Sequence, residues 1–394
     1  MPIVAASRAQ RARPTDHGMR IMGCSVEDIP SEQPAAARIE KVRFGQVLFE
    51  LDRLFPVVGH IRARVSAPFD YRNKLLHFHP DRHTWRGRSG LSPAIFRERS
   101  REVERELSRR QDEFDLVFET QTLFAPGMRL EWPYVVYTDN TYTLTRRYYP
   151  DWAPLRRGAG DRWAELEGET LRGARFVFTM SDFAREGLVG DYGCDPERVV
   201  FAGAGATLRD SAPPERDYGA RIALFVGMDF ERKGGRLLLD AWPSVTRAVP
   251  DAELWIVGPR KAPPASLPSG VRWMGYLPSR SDVVDAYRRA SVFAFPTLFE
   301  PLGLVVLEAM GHGLPVVAPD FAGPGEIVRH GETGLLVPRG EVAPLAEALA
   351  TLLGDSALAE RMGRRGHREV LERHTWAHVA ERMAPWIERA MVSA

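Results

Sequence analysis

Cysteine is almost missing from this chain: Cys24 and Cys194 are the only two in 394 residues. Two cysteines make no disulfide framework, and a reducing cytoplasm is the expected compartment. Long apolar runs are missing as well. None reaches the roughly 18 residues of a membrane span, and the arginine-bearing start "MPIVAASRAQRARPTDHGMR" lacks the apolar core of a signal peptide. Peripheral membrane contact is compatible with such a chain. Net charge is scarce too. At +1 there is no overall field to draw in nucleic acid, so no nucleic-acid partner is expected. Lysine is scarcer still, with only Lys41, Lys74, Lys233 and Lys261 among 53 basic residues. The excess of Arg, Ala and Pro has the look of a high-GC bacterial genome, which makes each remaining lysine worth a closer look.

What is present is ordinary globular material: 44% hydrophobic and 27% charged residues, in a length that fits two domains. Short apolar runs alternate with amphipathic ones, the pattern of parallel α/β architecture. In the first half, strands are expected at 19–25, 57–65, 74–80, 115–120, 134–139 and 174–181, ending in "RVVFAGAG". Helices are expected at 42–55, 92–114 and 161–172, with another capped by Ser181. "RDSAPPERDYG" (209–219), rich in Pro and charge, reads as a linker. The second half alternates more regularly. Strands are expected at 222–227, 253–258, 271–274, 292–295, 315–318 and 334–337. Helices fall at 234–248, 281–290, 303–312 and 341–353, and the tail forms one last helix. The fold class is therefore α/β, with two doubly wound Rossmann-like domains facing across a cleft. In such sheets ligands bind beyond the carboxyl ends of the strands.

The most informative stretch is "FEPLGLVVLEAMGHGLPVVAPD" (299–320). Glu300 lies in the exit loop of a strand, and Glu308 lies just inside the following helix. Between them is a helix N-terminus, whose outward N–H groups and positive dipole bind phosphate. Carboxylates accept hydrogen bonds from vicinal hydroxyls. Two of them flanking a phosphate site fit a ligand of hydroxyl–phosphate–hydroxyl order, such as a nucleotide sugar. The plainer alternative is that both glutamates only favour the helix start. The second piece is "LFVGMDFERKGGRLLLDAW" (224–242), where Gly227 ends a strand and Lys233 opens the next helix. A lysine there can neutralise a departing diphosphate, with Arg232 beside it to share the task; a solvated lysine is the alternative.

A competing constellation is "HFHPDRH", with His77, His79, Asp81 and His83. Alternating residues on a strand share a face and several such side chains can bind zinc. The run resembles the "HxHxDH" of metallo-β-lactamase-type hydrolases, with one extra residue before the last histidine. The other readings are an ordinary structural histidine, or a strand end at the cleft where His79 or His83 meets an acceptor.

"FVGMDFERKGG", "LWIVGP", "VRWMGYLP", "EPLGLVVLEAMGHGLPVVA" and "GETGLLVP", in that order, resemble the carboxyl-terminal domain of the retaining glycosyltransferases of family 4, of the GT-B fold. The resemblance covers about 220–340 closely. It implies an amino-terminal acceptor domain at 1–210, completed by the last helix at 375–394, and a nucleotide-sugar donor domain at 219–374. It implies that Glu300 faces the donor sugar and Glu308 holds the ribose. The amides of Leu302, Gly303 and Leu304 meet the phosphates, while Gly227, Gly258 and Tyr276 border the nucleotide. Where the family has an arginine after the strand glycine, this chain has Met228, so Arg232 is the expected substitute beside Lys233. Where the family often has a histidine in the first domain, this chain has Thr138, whose hydroxyl can hydrogen-bond a sugar, followed by Asp139, the candidate for contacting donor or acceptor hydroxyls; capping a turn is its other reading. The implied reaction moves a hexosyl unit from a nucleoside-diphosphate sugar, UDP-linked by base rate, to a glycan, lipid-linked or small-molecule acceptor, without a metal cofactor. A non-catalytic nucleotide-sugar-binding protein is the alternative that Met228 and Thr138 leave open.

Overall fold

Apolar runs of four to six residues between amphipathic segments become two parallel sheets with helices on both faces. The computed structural model describes residues 18–27, 45–126, 132–207 and 215–392. The start of the helix expected at 42–55 and most of the expected linker lie outside the described residues.

The first sheet contains β1 (Ile21–Ser25), β2 (Val57–Arg62), β3 (Leu116–Thr120), β4 (Tyr134–Thr138), β5 (Phe176–Thr179) and β6 (Val199–Phe201), in the order β2-β1-β3-β4-β5-β6. Every residue of β1, β3 and β4 is buried, as expected of strands covered on both sides. Its described helices are α1 (Gly45–Leu51), α2 (Ala67–Leu76), α3 (Arg82–Gly90), α4 (Pro93–Arg109), α5 (Tyr142–Tyr148), α6 (Arg157–Gly173) and α7 (Asp182–Tyr192). Ser92 and Ser181 cap α4 and α7 with their side chains, as their positions before the helical runs dictate.

The second sheet contains β7 (Ile222–Val226), β8 (Glu253–Val257), β9 (Val271–Gly275), β10 (Val292–Ala294), β11 (Val316–Pro319) and β12 (Gly334–Val337), in the order β12-β11-β10-β7-β8-β9. The order reverses between β7 and β10, so a crevice opens beyond their carboxyl ends. Its helices are α8 (Gly235–Ala248), α9 (Arg280–Arg289), α10 (Leu304–Gly311), α11 (Ala322–Ile327), α12 (Val342–Gly354) and α13 (Ser356–Arg373). The last helix, α14 (Trp376–Val392), crosses back and packs on α1, β4 and β5 of the first sheet. Trp376, Val379, Ala380, Met383 and Ile387 are its buried stripe. Among the described residues no single helix is long and apolar enough to cross a membrane.

The strand expected at 74–80 is not there. Helix α2 runs to Leu76, residues 77–80 form its exit, and Asp81 caps α3 by accepting from the Thr84 amide. The apolar residues that imitate a strand, Leu75, Leu76 and Phe78, are 59%, 76% and 65% exposed. Nothing buries them, so nothing forces extended pairing. The helix expected at 92–114 ends at Arg109, and the one at 42–55 ends at Leu51.

Candidate functional site

The turn after β7 and the loop after β10 build the site together. Gly227 ends the first and lies so close to Lys233 that a side chain there would meet its Cδ at 2.5 Å. Gly234 has φ +77, and an added methyl would strike the Pro296 carbonyl oxygen at the exit of β10. The lysine turn is thereby pressed against the glutamate loop. Gly234→Ala is expected to lower stability by at least about 2 kcal/mol through backbone strain alone. Denaturant unfolding checks this, and an unchanged midpoint would contradict the packing described.

Lys233 Nζ stands 3.5 Å from Glu300 Oε2. Arg232 reaches the same carboxylate oxygen at 3.0 Å and donates to the Phe299 carbonyl at 2.6 Å. Its Nε lies 3.4 Å from Asp229, and its guanidinium sits 4.2 Å from the Trp152 ring of the first domain. Arg232 is only 5% exposed. In this structure the guanidinium holds the Phe299–Glu300 loop and is not on the described cleft wall, an arrangement suited to positioning Glu300. Met228 itself is exposed and off the cavity wall.

Helix α10 starts at Gly303, φ +89, and no side chain caps that end. Uncapped first amides are what an anion-binding end of the kind expected from the sequence would need. Glu300 lies on one side. On the other, Glu308 lies 3.5 Å from the Tyr287 hydroxyl and 3.9 Å from Arg280. A cleft of about 280 Å³ brings Lys233, Glu300, Leu302, Gly303, Leu304 and Glu308 together with Asp139 across from them. Gly227, Gly258 and Tyr276, expected at the nucleotide, are not on the described wall of this cleft. The Gly258 amide donates to Gly275, tying the exits of β8 and β9, and Arg260 lies 3.5 Å over the Tyr276 ring.

Six wall residues escaped sequence reasoning: Gln46, Gly205, Thr207, Arg280, Val305 and Trp376. Arg280 opens helix α9, where acids rather than bases suit the dipole; that mismatch was the available signal. Trp376 enters from the last helix, and its buried indole N–H has no hydrogen-bond partner among the described residues.

The histidine constellation does not assemble. Asp81 caps a helix, His79 Nδ1 accepts from the Asp81 amide at 3.1 Å, and His79 lines neither of the cavities described here. Among the described residues no group of three or more His, Cys, Asp or Glu is arranged to hold a metal ion. The zinc-hydrolase reading required alternation on a strand, and that strand is helix and turn. Thr138 is buried, and its hydroxyl donates to the Asn140 carbonyl, shaping the turn that carries Asp139.

The family model described as "Glycosyl transferases group 1" matches residues 220–355, which contain the cleft wall except Gln46, Asp139, Gly205, Thr207 and Trp376. The chain is 30% identical over 263 residues to an alpha-maltose-1-phosphate synthase of Mycolicibacterium smegmatis, covering 58% of this chain and 67% of that one. The chain belongs to the group 1 glycosyltransferases. It is also 34% identical over 213 residues to a phosphatidyl-myo-inositol mannosyltransferase of Mycobacterium leprae, covering 52% of this chain and 56% of the relative. The matched region thus spans little more than half the length of that relative. Two solved structures share the fold. Sucrose-phosphate synthase from Thermosynechococcus elongatus aligns over 95% of this chain and 100% of its own, with TM-score 0.70 and 20% identity. The Anabaena protein HepE, in complex with UDP and glucose, aligns over 94% and 99%, with TM-score 0.63 and 15% identity. Both support the two-domain GT-B architecture for this group 1 glycosyltransferase.

In this glycosyltransferase chain the two domains touch beside the site. Tyr148 stacks on Phe299 with centroids 5.9 Å apart, and Phe183 and Phe321 complete the cluster. Glu326 of α11 accepts from the Asp182 and Phe183 amides at 2.8 and 2.7 Å, capping a helix of the other domain. Burial raises the Glu326 pKa against those two bonds. Phe299 directly precedes Glu300, so the contact between domains adjoins the glutamate loop.

Proposed function

We propose that the protein transfers a hexosyl unit from a nucleoside-diphosphate sugar, with UDP as the nucleotide, to a hydroxyl acceptor with retention at the anomeric carbon. Domains at 1–210 with 375–394, and at 219–374, carry acceptor and donor respectively. The observation that carries this reading is the cleft in which Glu300 and Glu308 flank the uncapped start of α10 while Lys233 faces it. The diphosphate lies on the amides of Leu302, Gly303 and Leu304. Glu308 takes the ribose hydroxyls, Glu300 the hydroxyls of the donor sugar, and Gly258 and Tyr276 border the base. Gly227 allows the nucleotide its close approach.

In the reaction the acceptor oxygen bonds to the anomeric carbon as the bond from that carbon to the β-phosphate oxygen breaks. Both events occur on one face of the sugar. The acceptor proton passes to a β-phosphate oxygen, and the nucleoside diphosphate leaves. Lys233 and the helix start stabilise the charge on it, which is where preorganised donors act most strongly. Arg232 positions Glu300, and Asp139 orients the acceptor hydroxyl, with Thr138 shaping its turn. Closure of the domains limits hydrolysis by excluding water. The relatives named above act on inositol-type and sugar-type compounds, which supports a polyol or sugar acceptor here.

A panel of nucleotide sugars, read by nucleotide release from the purified protein, tests the reading. Release with one donor class supports it. Tight binding with no release from any donor, with or without acceptors, overturns it in favour of a binding protein. Because Lys233 and the helix start carry the leaving charge, EDTA is expected to leave the release rate within about twofold. Abolition by EDTA with recovery on added divalent cation would contradict the metal-independent mechanism.

A further inference from the structure

A second cavity, of about 240 Å³, opens in the first domain beyond the carboxyl ends of β3 and β4. Asp139 lines it and also lines the donor cleft, so the two spaces share one carboxylate at their junction. One part of its wall is aromatic, formed by Tyr142, Trp152 and Trp163. Trp152 is 39% exposed, with the Arg232 guanidinium 4.2 Å from its ring. The polar part holds groups that the described residues do not satisfy. Asn140 Oδ1 and the Tyr142 hydroxyl are buried without a hydrogen-bond partner among the described residues, although the Asn140 amide donates to Thr145 at 2.6 Å. Buried polar groups left unpaired are costly, so each calls for an absent partner. Gln121, on the same wall, sits at φ +64 although it carries a Cβ. Such a conformation is held against its cost and clusters at ligand sites.

The charge of the wall decides what fits. Its described charged residues are Asp139 and Glu167, with no lysine or arginine. Glu167 is spent internally, accepting from the Thr122 hydroxyl at 2.9 Å, the Tyr142 amide and the Tyr192 hydroxyl. A phosphate placed here would lose water while facing a carboxylate, and the guanidinium over Trp152, that of Arg232, is already engaged by Glu300 and the Phe299 carbonyl. A ring of hydroxyls meets no such penalty. It stacks on indole by its C–H face and brings donors to Asn140 and Asp139.

We infer that this cavity is the acceptor subsite and that it takes an uncharged polyhydroxylated ring, selecting against the phosphorylated form of the same ring. The inference rests on the proposed transfer reaction. It sets this chain apart from a relative whose name carries a sugar 1-phosphate. Ring hydroxyls bind Asn140 and the aromatic wall, and one hydroxyl reaches Asp139 at the mouth of the donor cleft.

The test uses matched pairs of probes: glucose with glucose 1-phosphate, and myo-inositol with inositol 3-phosphate. Binding to the full chain is followed by saturation-transfer NMR, with and without UDP, so it does not depend on turnover. At least one neutral member is expected to bind tenfold or more tightly than its phosphorylated partner. Asn140→Ala should weaken that binding at least fivefold. Gln121→Lys, which places a cation on the wall, should shift the pairwise ratio at least fivefold toward the phosphorylated member. Equal or tighter binding of the phosphorylated members to the wild-type protein overturns the inference. So does a failure of all four probes to bind, or a ratio that neither variant moves. Failure of the transfer reading shows separately, as absence of nucleotide release across the donor panel.

Discussion

Lys233→Ala is expected to lower kcat about 10²–10³-fold, the usual loss when one preorganised donor to a developing charge is removed. The Lys233 ammonium lies 3.5 Å from Glu300 and 5.0 Å from the Phe295 ring centroid, on the wall of the donor cleft. Arg232 cannot take over, because its guanidinium is spent on Phe299, Glu300 and Asp229. The charge lost is needed most when the diphosphate departs. The nucleotide-sugar KM should therefore change less than kcat, by no more than about tenfold. Steady-state nucleotide release gives both constants. A variant with wild-type kcat would remove Lys233 from the reaction.

Glu300→Ala is expected to do two kinds of harm that a second variant separates. The carboxylate is the partner of an arginine that is only 5% exposed, and removing one member of such a pair leaves a buried charge uncompensated. The expected loss of stability is about 3 kcal/mol. It is moderated because Arg232 keeps its bond to the Phe299 carbonyl and its approach to Asp229. Activity should fall about 10²-fold or more, since the donor sugar loses its orienting carboxylate. Glu300→Gln keeps the shape and one acceptor oxygen for Arg232. It should recover most of the stability in denaturant unfolding and little of the kcat. If Gln restores turnover as fully as it restores stability, Glu300 acts only as a brace for the loop.

Much of the second domain was legible because its code is local. Strand residues such as Leu224 and Phe225 are apolar on both faces, and the turns carry glycines at positive φ, as Gly234, Gly258 and Gly303 show. The pairing of a lysine turn with an eight-spaced glutamate pair also lies within short segments. The first domain was harder to read. Helix α2 exposes Tyr71, Leu75 and Leu76, so it offered no buried apolar stripe to distinguish helix from strand. The histidines after it only appeared to alternate on a strand. Contacts between distant segments left no local trace either. Nothing near Arg232 announces Trp152, and nothing near Ser181 announces that Glu326 reaches the same helix start. Arg280 was visible only as a base at a helix N-terminus, a weak anomaly until the fold brought it within 3.9 Å of Glu308.

The most direct test is a crystal structure of the protein with a bound UDP-sugar. The diphosphate should rest on the amides at the start of α10, with Lys233 at the β-phosphate, Glu308 on the ribose hydroxyls and Glu300 facing the hexose. A nucleotide seated elsewhere, with the Gly303–Leu304 amides still bare, would contradict the account.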